Sequence, residues 1–314
     1  MTAKACRVAF SEALLERARQ DSNIVVVATD SRGSAAIGAF ADELPEQFVE
    51  VGIAEQNAVG IAAGLAASGK QAFAIGPASF YSMRAAEQVK VDVAYSNVNV
   101  KIVGISGGIS YGALGATHHS VQDIALMRAI PGIDVILPAD ANQTETLVAK
   151  LLDNPRPAYI RIGRGAVNAV YEKNPGCSIG KANILCEGGD IAILACGETL
   201  WYAIEAANIL AQEGIHATVM DLFSVKPIDR EAVIDAAKKC GRILTVEEHS
   251  IYGGLGGTVS EILSQECPVP MKILGLPDTH LINGSSQYLY GYYGLDAEGI
   301  ARGAKALLAE RDGR

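Results

Sequence analysis

Short runs of β-branched and apolar residues alternate with longer helical stretches along the chain, and this succession constrains the fold more than any other feature. The runs lack the every-second-residue polarity of a half-exposed strand, so both of their faces should be buried. Strands of that kind, separated by helices, predict mainly parallel sheets covered by helices on both faces. The predicted strands are NIVVVAT, FVEV, QAFAI, VNVKIVGI, IDVILP and PAYIRI in the first half, and DIAILACG, HATVMDL, GRILTVEE and MKILGL in the second.

One segment interrupts this succession and divides the chain. GRGAVNAVYEKNPGCSIGKANILCEGG is rich in turn residues and has no hydrophobic period, which predicts a linker, with a small hairpin as one option. The length of 314 residues is typical of about two domains. We therefore predict an α/β protein of two doubly wound domains, residues 1–165 and 190–314, joined by a linker at 166–189.

Composition excludes several classes of protein. A net charge of −9 without a Lys/Arg-rich stripe argues against nucleic acid as a partner. No apolar run approaches the roughly 20 residues that a membrane span needs, and KACRVAFSEALLERARQ reads as a charged amphipathic helix, not a signal peptide. The six cysteines are scattered without a CxxC pair, which is typical of reduced thiols. We predict a cytoplasmic protein with no membrane partner.

Polar segments follow three of the predicted strands. Asp30 ends NIVVVATD, Glu55 follows FVEV, and SGGISYGALGATHH follows VNVKIVGI. Ligands of open α/β sheets bind beyond the carboxyl ends of the strands. The sequence therefore predicts a binding site at one edge of the first domain.

Glu55 has two interpretations. It opens the apolar stretch EQNAVGIAAGLAASG, in which the next charge is Lys70. An acidic residue in a first turn suits the helix dipole, whereas a nearly buried carboxyl group is suited to handling a proton. The residues alone leave both open.

Other motifs carry less information. There is no GxGxxG after the first strand and no GxxxxGK[ST], so neither dinucleotide binding nor a P-loop is supported. The glycines of EEHSIYGGLGGTVSEIL could hold an anion at a helix N-terminus or form a plain tight turn. The pair His118 and His119 lacks the spacing of a catalytic metal site.

Taken together, these segments resemble the transketolases. TDSRGS, VGIAEQN, ASFYSMRAAEQ, GALGATHHSVQDIALMRAIPG, ILPAD and YIRIGRG occur in the order and spacing of the transketolase pyrimidine-binding domain. VEEHSIYGGLGGTVSEIL and LGLPD are similar to the transketolase C-terminal domain. The resemblance covers essentially the whole chain. It implies thiamine diphosphate as cofactor and the transfer of a two-carbon ketol unit from a ketose phosphate to an aldose or aldose phosphate.

The same resemblance reveals a missing part. Transketolases hold the diphosphate through a divalent metal bound by a GDG motif and an Asn of an N-terminal domain, and this chain contains no GDG. The resemblance thus implies the C-terminal subunit of a split transketolase, without metal ligands of its own. A partner subunit would hold Mg²⁺ or Ca²⁺, in an α2β2 assembly that acts on sugar phosphates.

The resemblance also implies roles for individual residues around the cofactor. Glu55 matches the glutamate that hydrogen-bonds a ring nitrogen of the aminopyrimidine. This role is chemically reasonable, since a carboxyl group among apolar neighbours is costly to ionise and can share a proton. Phe80 and Tyr81 match the aromatic segment that packs on that ring, with Tyr81 preferred, and Arg84 joins them in binding the cofactor. His118, in preference to His119, matches a histidine that faces the reacting carbons and relays protons.

Further residues correspond to substrate-binding positions, and two depart from the family pattern. Asp30 matches a contact to sugar hydroxyls. Arg7, Ser34 and Arg164 match the group that binds a terminal phosphate, for which guanidinium groups and a hydroxyl are suitable donors. A family histidine falls at Ser106, and an acidic residue that reads acceptor stereochemistry falls at Leu114. These departures predict an acceptor of altered, branched or small structure.

Three alternatives stay open at this point. The chain could be a fragment of a deoxyxylulose-phosphate synthase, the beta subunit of a 2-oxoacid dehydrogenase, or an interaction protein that has lost catalysis. GATHH and the pair Arg7 and Arg164 favour sugar phosphates over lipoyl substrates. Retention of Glu55, His118 and the aromatic turn argues against loss of catalysis.

Overall fold

The computed structural model describes residues 3–310 of the protein. Within that range each predicted strand is present, with ends that differ by a residue or two. The strands are β1 (Lys4–Ala5), β2 (Ile24–Ala28), β3 (Phe48–Glu50), β4 (Gln71–Pro77), β5 (Val100–Ile105), β6 (Asp134–Ile136), β7 (Ala158–Ile162), β8 (Ala166–Val167), β9 (Asn183–Cys186), β10 (Ile191–Ala195), β11 (Ala217–Asp221), β12 (Ser224–Lys226), β13 (Ile243–Ser250) and β14 (Met271–Leu276).

Helices fill the connections between these strands, and several begin at side chains that suit a helix N-terminus. The carboxylates of Asp140, Asp229 and Asp296 accept backbone hydrogen bonds from the first turns that follow them, which satisfies otherwise unpaired N–H groups. The helices are α1 (Cys6–Ala18), α2 (Gly38–Glu43), α3 (Glu55–Ala67), α4 (Ala78–Arg84), α5 (Ala86–Gln88), α6 (Asp123–Ala129), α7 (Ala141–Asp153), α8 (Thr199–Gln212), α9 (Arg230–Cys240), α10 (Leu255–Glu266), α11 (Ser286–Tyr293) and α12 (Ala297–Ala309), with 3₁₀ helices at Pro45–Gln47 and Gly112–Thr117 and a π-helix at Val89–Tyr95.

The first sheet has the strand order β12-β6-β7-β5-β4-β2-β3. Its strands are parallel except β12, which runs antiparallel to β6. Every residue of β2, β5 and β7 is buried, because helices pack on both faces of the sheet. This burial is the physical reason why the sequence shows continuous apolar runs.

The second sheet has the order β14-β13-β10-β11-β9 and is parallel except for its edge strand β9. Helices α8 and α12 pack against each other beside it, and buried residues of both join the core around β10 and β11. The predicted fold class is confirmed: an α/β chain with two mainly parallel sheets.

The interval between the sheets differs from the expected linker. Its two strands do not form a hairpin: β8 pairs antiparallel with β1 at the start of the chain, and β9 joins the second sheet beside β11. In addition β12, from the second half of the chain, extends the first sheet. The boundaries 166 and 189 stay a prediction. The sheet of the first half nevertheless contains a strand from the second half, β12.

No helix within residues 3–310 has the length and apolarity that crossing a membrane requires.

Candidate active site

The first sheet gathers the predicted site residues along its carboxyl edge. The neighbouring strands β7, β5, β4 and β2 are followed in the chain by Arg164, Ser106, Phe80 and Asp30. Parallel strands end at the same edge, so residues that are far apart in sequence come close together there. The site expected from topology is therefore assembled at this edge.

Glu55 is the first residue of α3, and its side chain is only 5% exposed. Both carboxylate oxygens lie near Nη1 of Arg84, at 3.3 and 3.2 Å. The two interpretations of Glu55 are thus compatible, because it stands in a first turn and is also buried against a guanidinium group. The carboxylate is held in one orientation by a charge-assisted contact.

Arg84 connects Glu55 to the aromatic turn of α4. Its guanidinium carbon lies 4.0 Å from the centroid of the Phe80 ring, a cation–π distance. Phe80 and Arg84 are four residues apart and share one face of α4. The Phe80 ring in turn meets the His118 ring edge-on, with centroids 5.2 Å apart.

Tyr81 takes a different place from the one expected. It is fully buried, and it belongs to the core cluster between α3, β4 and β5. A helix turns by about 100° per residue, so adjacent aromatics of α4 face opposite environments. Phe80 is the ring open to the site in this structure, and the cofactor contact expected of Tyr81 stays a prediction.

His118 is half-buried at the end of the 3₁₀ helix Gly112–Thr117. Burial, followed by the positive charges of Arg84 and His119, lowers the pKa of His118 below its ordinary value. A neutral imidazole near pH 7 can both accept and donate a proton. Nδ1 lies 2.9 Å from the hydroxyl of Thr117. His119 is buried, and its Nε2 lies 3.2 Å from the Gly112 carbonyl, whereas its Nδ1 has no hydrogen-bond partner among residues 3–310.

Arg164 and Arg7 add two positive charges to the series of contacts that runs from Glu55 through Arg84 and Phe80 to His118. The Arg164 guanidinium carbon lies 4.1 Å above the ring of Tyr111, which itself meets His118 edge-on at 5.3 Å. Arg7 donates through Nε to the Arg164 carbonyl and through Nη1 to the Ser34 carbonyl, both at 2.9 Å. Burial, and then the like charge of Arg164, lowers the pKa of Arg7.

An anion would complete this arrangement. Nη1 of Arg164 is buried without a hydrogen-bond partner among residues 3–310. Two guanidinium groups that destabilise each other are stabilised together by a phosphate, which accepts from both. The carbonyl of Ser34, and not its hydroxyl, orients Arg7, so the expected hydroxyl contact of Ser34 stays a prediction.

Asp30 and Ser106 both have left-handed backbones, with φ of 49° and 58°. Each stands just beyond the carboxyl end of a central strand, β2 and β5 respectively. Non-glycine residues are strained in this region, and such strain concentrates at functional sites. Asp30 is exposed, and its backbone N–H donates to a Glu50 carboxylate oxygen at 2.8 Å. Ser106 is 5% exposed.

Two residues of this region were not predicted. Tyr111, within the quoted SYGALGATHH, links Arg164 to His118. Glu248, from the second half, accepts from the Ile109 N–H at 2.6 Å and fixes the glycine-rich loop. The paired acids of VEEH were the sequence signal for this role.

Glu247, the other acid of VEEH, decides what the glycines before α10 do, for which the sequence left open an anion site or a plain tight turn. Glu247 is fully buried and accepts from the N–H groups of Leu255 and Gly256 at 2.6 and 2.8 Å. The anion at this helix N-terminus is therefore a carboxylate of the chain itself.

The residues at the edge fit the pyrimidine half of thiamine diphosphate. They provide one buried carboxylate, an open aromatic face and a neutral imidazole. Within residues 3–310, no three His, Cys, Asp or Glu side chains converge as metal ligands do. A metal-bound diphosphate would need ligands from elsewhere.

Two family models, both for transketolase domains, match the chain and together cover most of its length. Residues 2–169 match "Transketolase, pyrimidine binding domain" and residues 180–300 match "Transketolase, C-terminal domain". These matches define the class of the protein, a thiamine diphosphate-dependent transferase. The chain belongs to the transketolase family.

Relatives place it among the split members of that family. It is 56% identical to one subunit of the apulose-4-phosphate transketolase of Phocaeicola vulgatus, with 96% of each chain covered. It is 38% identical to a 6-deoxy-6-sulfo-D-fructose transketolase subunit of a Clostridium species, over 98% of this chain and 96% of the relative. A solved structure described as "Split gene transketolase, inactive beta4 tetramer" superposes with a TM-score of 0.88 and 39% identity, over 98% of this chain and 99% of that one.

A second group of relatives is longer. The chain is 38% identical to a 1-deoxy-D-xylulose-5-phosphate synthase of Geobacter sulfurreducens, but spans 48% of it. Because of these relatives, deoxyxylulose-phosphate synthesis stays the alternative to ketol transfer as the function.

Proposed function

We propose that this chain is the C-terminal subunit of a split transketolase that transfers a two-carbon ketol unit between sugar phosphates. The observation that carries the proposal is the continuous array from Glu55 through Arg84, Phe80, His118 and Tyr111 to Arg164 and Arg7. It combines a carboxylate and an aromatic face at one end with a phosphate-binding pair of arginines at the other.

Each part of the array has a task. Thiamine diphosphate, when bound, supplies a carbon nucleophile and holds the two-carbon unit. Glu55 hydrogen-bonds the pyrimidine, and the open face of Phe80 packs on it. His118 exchanges protons with the substrate hydroxyls nearest the broken bond. Arg164 and Arg7 bind the terminal phosphate, and Asp30 accepts from sugar hydroxyls.

A partner subunit completes the site. The absence of GDG from the sequence supports a partner that carries the diphosphate and Mg²⁺ or Ca²⁺, in an α2β2 assembly. The related structure described as an inactive β4 tetramer supports the view that such a subunit is inactive alone. The cytoplasmic location stays a prediction.

The substrate we propose is apulose 4-phosphate. The support is the 56% identity to a subunit of an apulose-4-phosphate transketolase, against 38% for the sulfofructose relative. Leu114, which stands where other transketolases have an acidic residue, is 49% exposed on the 3₁₀ helix beside His118. An apolar side chain there cannot hydrogen-bond a substrate hydroxyl, so it does not select for one configuration of that hydroxyl.

Reconstitution tests the proposal. The chain should be combined with a GDG-containing partner, thiamine diphosphate and magnesium, and assayed with apulose 4-phosphate and an aldose phosphate. Ketol transfer by the pair, and none by either subunit alone, is expected. Pyruvate decarboxylation without ketol transfer would instead identify a deoxyxylulose-phosphate synthase fragment. Turnover by the rigorously purified single chain would overturn the need for a partner.

A further inference from the structure

The loop that carries His118 belongs to the first half of the chain but packs against the second half. Ile109 and Val121, near its two ends, are buried in the same apolar cluster as Leu289 of α11 and the strands β10 and β11. The N–H of Ser250, at the end of β13, donates to the Val121 carbonyl at 2.9 Å. Both ends of the loop are therefore anchored in the core of the second half.

The start of α11 also holds the middle of this loop. The Ser286 hydroxyl lies 3.2 Å from the carbonyl oxygens of both Ile109 and Ser110, and it can donate to either. The Gly284 N–H donates to the Gly112 carbonyl at 3.3 Å. The second half thus binds the loop backbone on both sides of the tyrosine at position 111.

Two glycines of the loop lie in close contact with the same segment. A side-chain carbon at Gly112 would lie 2.5 Å from the Gly284 carbonyl oxygen, and one at Gly115 would lie 2.5 Å from Oδ1 of Asn283. Non-bonded atoms do not approach so closely, so a larger residue at either position would displace the segment. This contact gives a physical reason for the two glycines of GALGATHH.

The same backbone groups are bonded directly to the histidine pair. The Gly115 carbonyl accepts from the N–H groups of both His118 and His119, at 2.9 and 3.0 Å. The Gly112 carbonyl, which accepts from the Gly284 N–H, also lies 3.2 Å from Nε2 of His119. A displacement of residues 112 or 115 would therefore displace His118.

Glu55 and Arg84 have a different support. They stand at the start of α3 and the end of α4, two helices that pack beside each other on the first sheet. The pyrimidine end of the proposed site is thus held by the first half of the chain, whereas the loop with His118 is held by the second half.

We propose that Ser286 and Asn283 are positioning residues for ketol transfer, which hold the loop so that His118 faces the reacting carbons of the substrate. Both act through the backbone of the loop. The proposal rests on the proposed function, in which His118 exchanges protons with the substrate. It gives the second half of the chain a part in catalysis in addition to its own fold.

Hydrogen exchange of the full-length chain tests this support without substrate or cofactor. Ser286→Ala should speed amide exchange within residues 109–118 about threefold or more, because a typical hydrogen bond contributes about 1 kcal/mol to the stability of the segment it holds. Exchange within α3 should stay at the wild-type rate. Ser264→Ala, at an exposed serine of α10, is the matched control.

Asn283→Ala tests the packing contact separately. It removes the side chain that lies against Gly115, and it should speed exchange within residues 109–118 in the same way. Asn208→Ala, at an exposed asparagine of α8, should leave this exchange unchanged.

The reconstituted complex tests the effect on catalysis. Ser286→Ala should lower kcat for ketol transfer about tenfold, because a small misplacement of a proton-transferring group is costly to the rate. Deuterium exchange at the thiazolium carbon, for which we expect Glu55 to be needed, should keep the wild-type rate. A change that only weakened the fold would slow both reactions.

Three outcomes would overturn the proposal. They are unchanged loop exchange in both Ser286→Ala and Asn283→Ala, a wild-type kcat in Ser286→Ala despite faster loop exchange, and equal slowing of ketol transfer and thiazolium exchange. Absence of ketol transfer in the wild-type complex would instead overturn the proposed function, and the hydrogen-exchange result for the loop would stand. The two failures are therefore distinguishable.

Discussion

The guanidinium of Arg84 lies 3.2 Å from one carboxylate oxygen of Glu55 and 3.3 Å from the other. Arg84 is half exposed whereas Glu55 is buried, so the pair spans the boundary between core and site. The same guanidinium packs on Phe80 at 4.0 Å. One cation thereby orients both the acid and the ring that we expect to hold the pyrimidine.

Arg84→Ala should lower the free energy of unfolding by about 1–3 kcal/mol, because it leaves the buried Glu55 carboxylate without its charged partner. Urea unfolding measures the effect. In a Glu55→Gln background the loss should be much smaller, since no charge is then left unpaired. Arg17→Ala, at an exposed arginine of α1, is the control. Equal losses in both backgrounds would show that the contact contributes no stability.

Glu55→Gln should slow deuterium exchange at the thiazolium carbon of the bound cofactor by about 10²-fold or more, since a positioned proton-transfer partner is lost. The measurement uses the reconstituted complex, after cofactor binding has been verified. Glu46→Gln, at an exposed acid, should exchange at the wild-type rate. A wild-type rate in the Glu55→Gln complex would refute the role.

Arg164→Ala should raise KM for a phosphorylated acceptor about tenfold or more and barely change KM for the unphosphorylated acceptor, because a charge-assisted contact contributes about 1.5–3 kcal/mol. Arg164→Lys should recover only part of the loss, since an ammonium lacks the bidentate fork. Equal effects on both acceptors would rule out a phosphate contact.

Leu114→Asp should restore discrimination between acceptors that differ only in the hydroxyl configuration next to the aldehyde. A carboxylate facing the substrate penalises a partner that leaves it unpaired. The ratio of kcat/KM across such a panel is measured for both proteins. A strong wild-type preference for the ordinary configuration, unchanged by the substitution, would mean that residue 114 does not face the substrate.

Glu198→Gln should make stability less dependent on pH. The pKa of Glu198 rises from 4.5 to about 8 in the folded chain, so between these values the folded state holds a proton that the unfolded state has released. Stability therefore falls as pH rises through this window, by up to roughly 1.4 kcal/mol per pH unit. The neutral amide removes this loss.

The difference in unfolding free energy between Glu198→Gln and wild type should thus shift in favour of the variant from about pH 5 to about pH 8, and level off above. Glu231→Gln, at an exposed acid, should track wild type throughout. A difference that does not change with pH would show that Glu198 ionises as freely in the folded chain as in the unfolded one.

The sequence by itself determined the order of strands and helices, the parallel sheets and the edge at which polar residues gather. It could do so because these depend on local pattern: apolar runs buried on both faces, and a strand end that places the next residue at the sheet edge. The resemblance to transketolases added Glu55, Phe80, His118 and the arginines, all of which lie along that edge.

Only the tertiary structure decided which neighbours these residues have. Phe80 faces the site and Tyr81 the core because α4 turns by about 100° between them, a direction that the residue types do not reveal. The pairing of β8 with β1, the addition of β12 to the first sheet and the contact of Arg84 with Glu55 all join distant parts of the chain. The Ser286 hydroxyl likewise donates to the Ile109 carbonyl across 177 positions of sequence. Such contacts depend on how elements pack in three dimensions, and packing over that range leaves no periodic signal in one sequence.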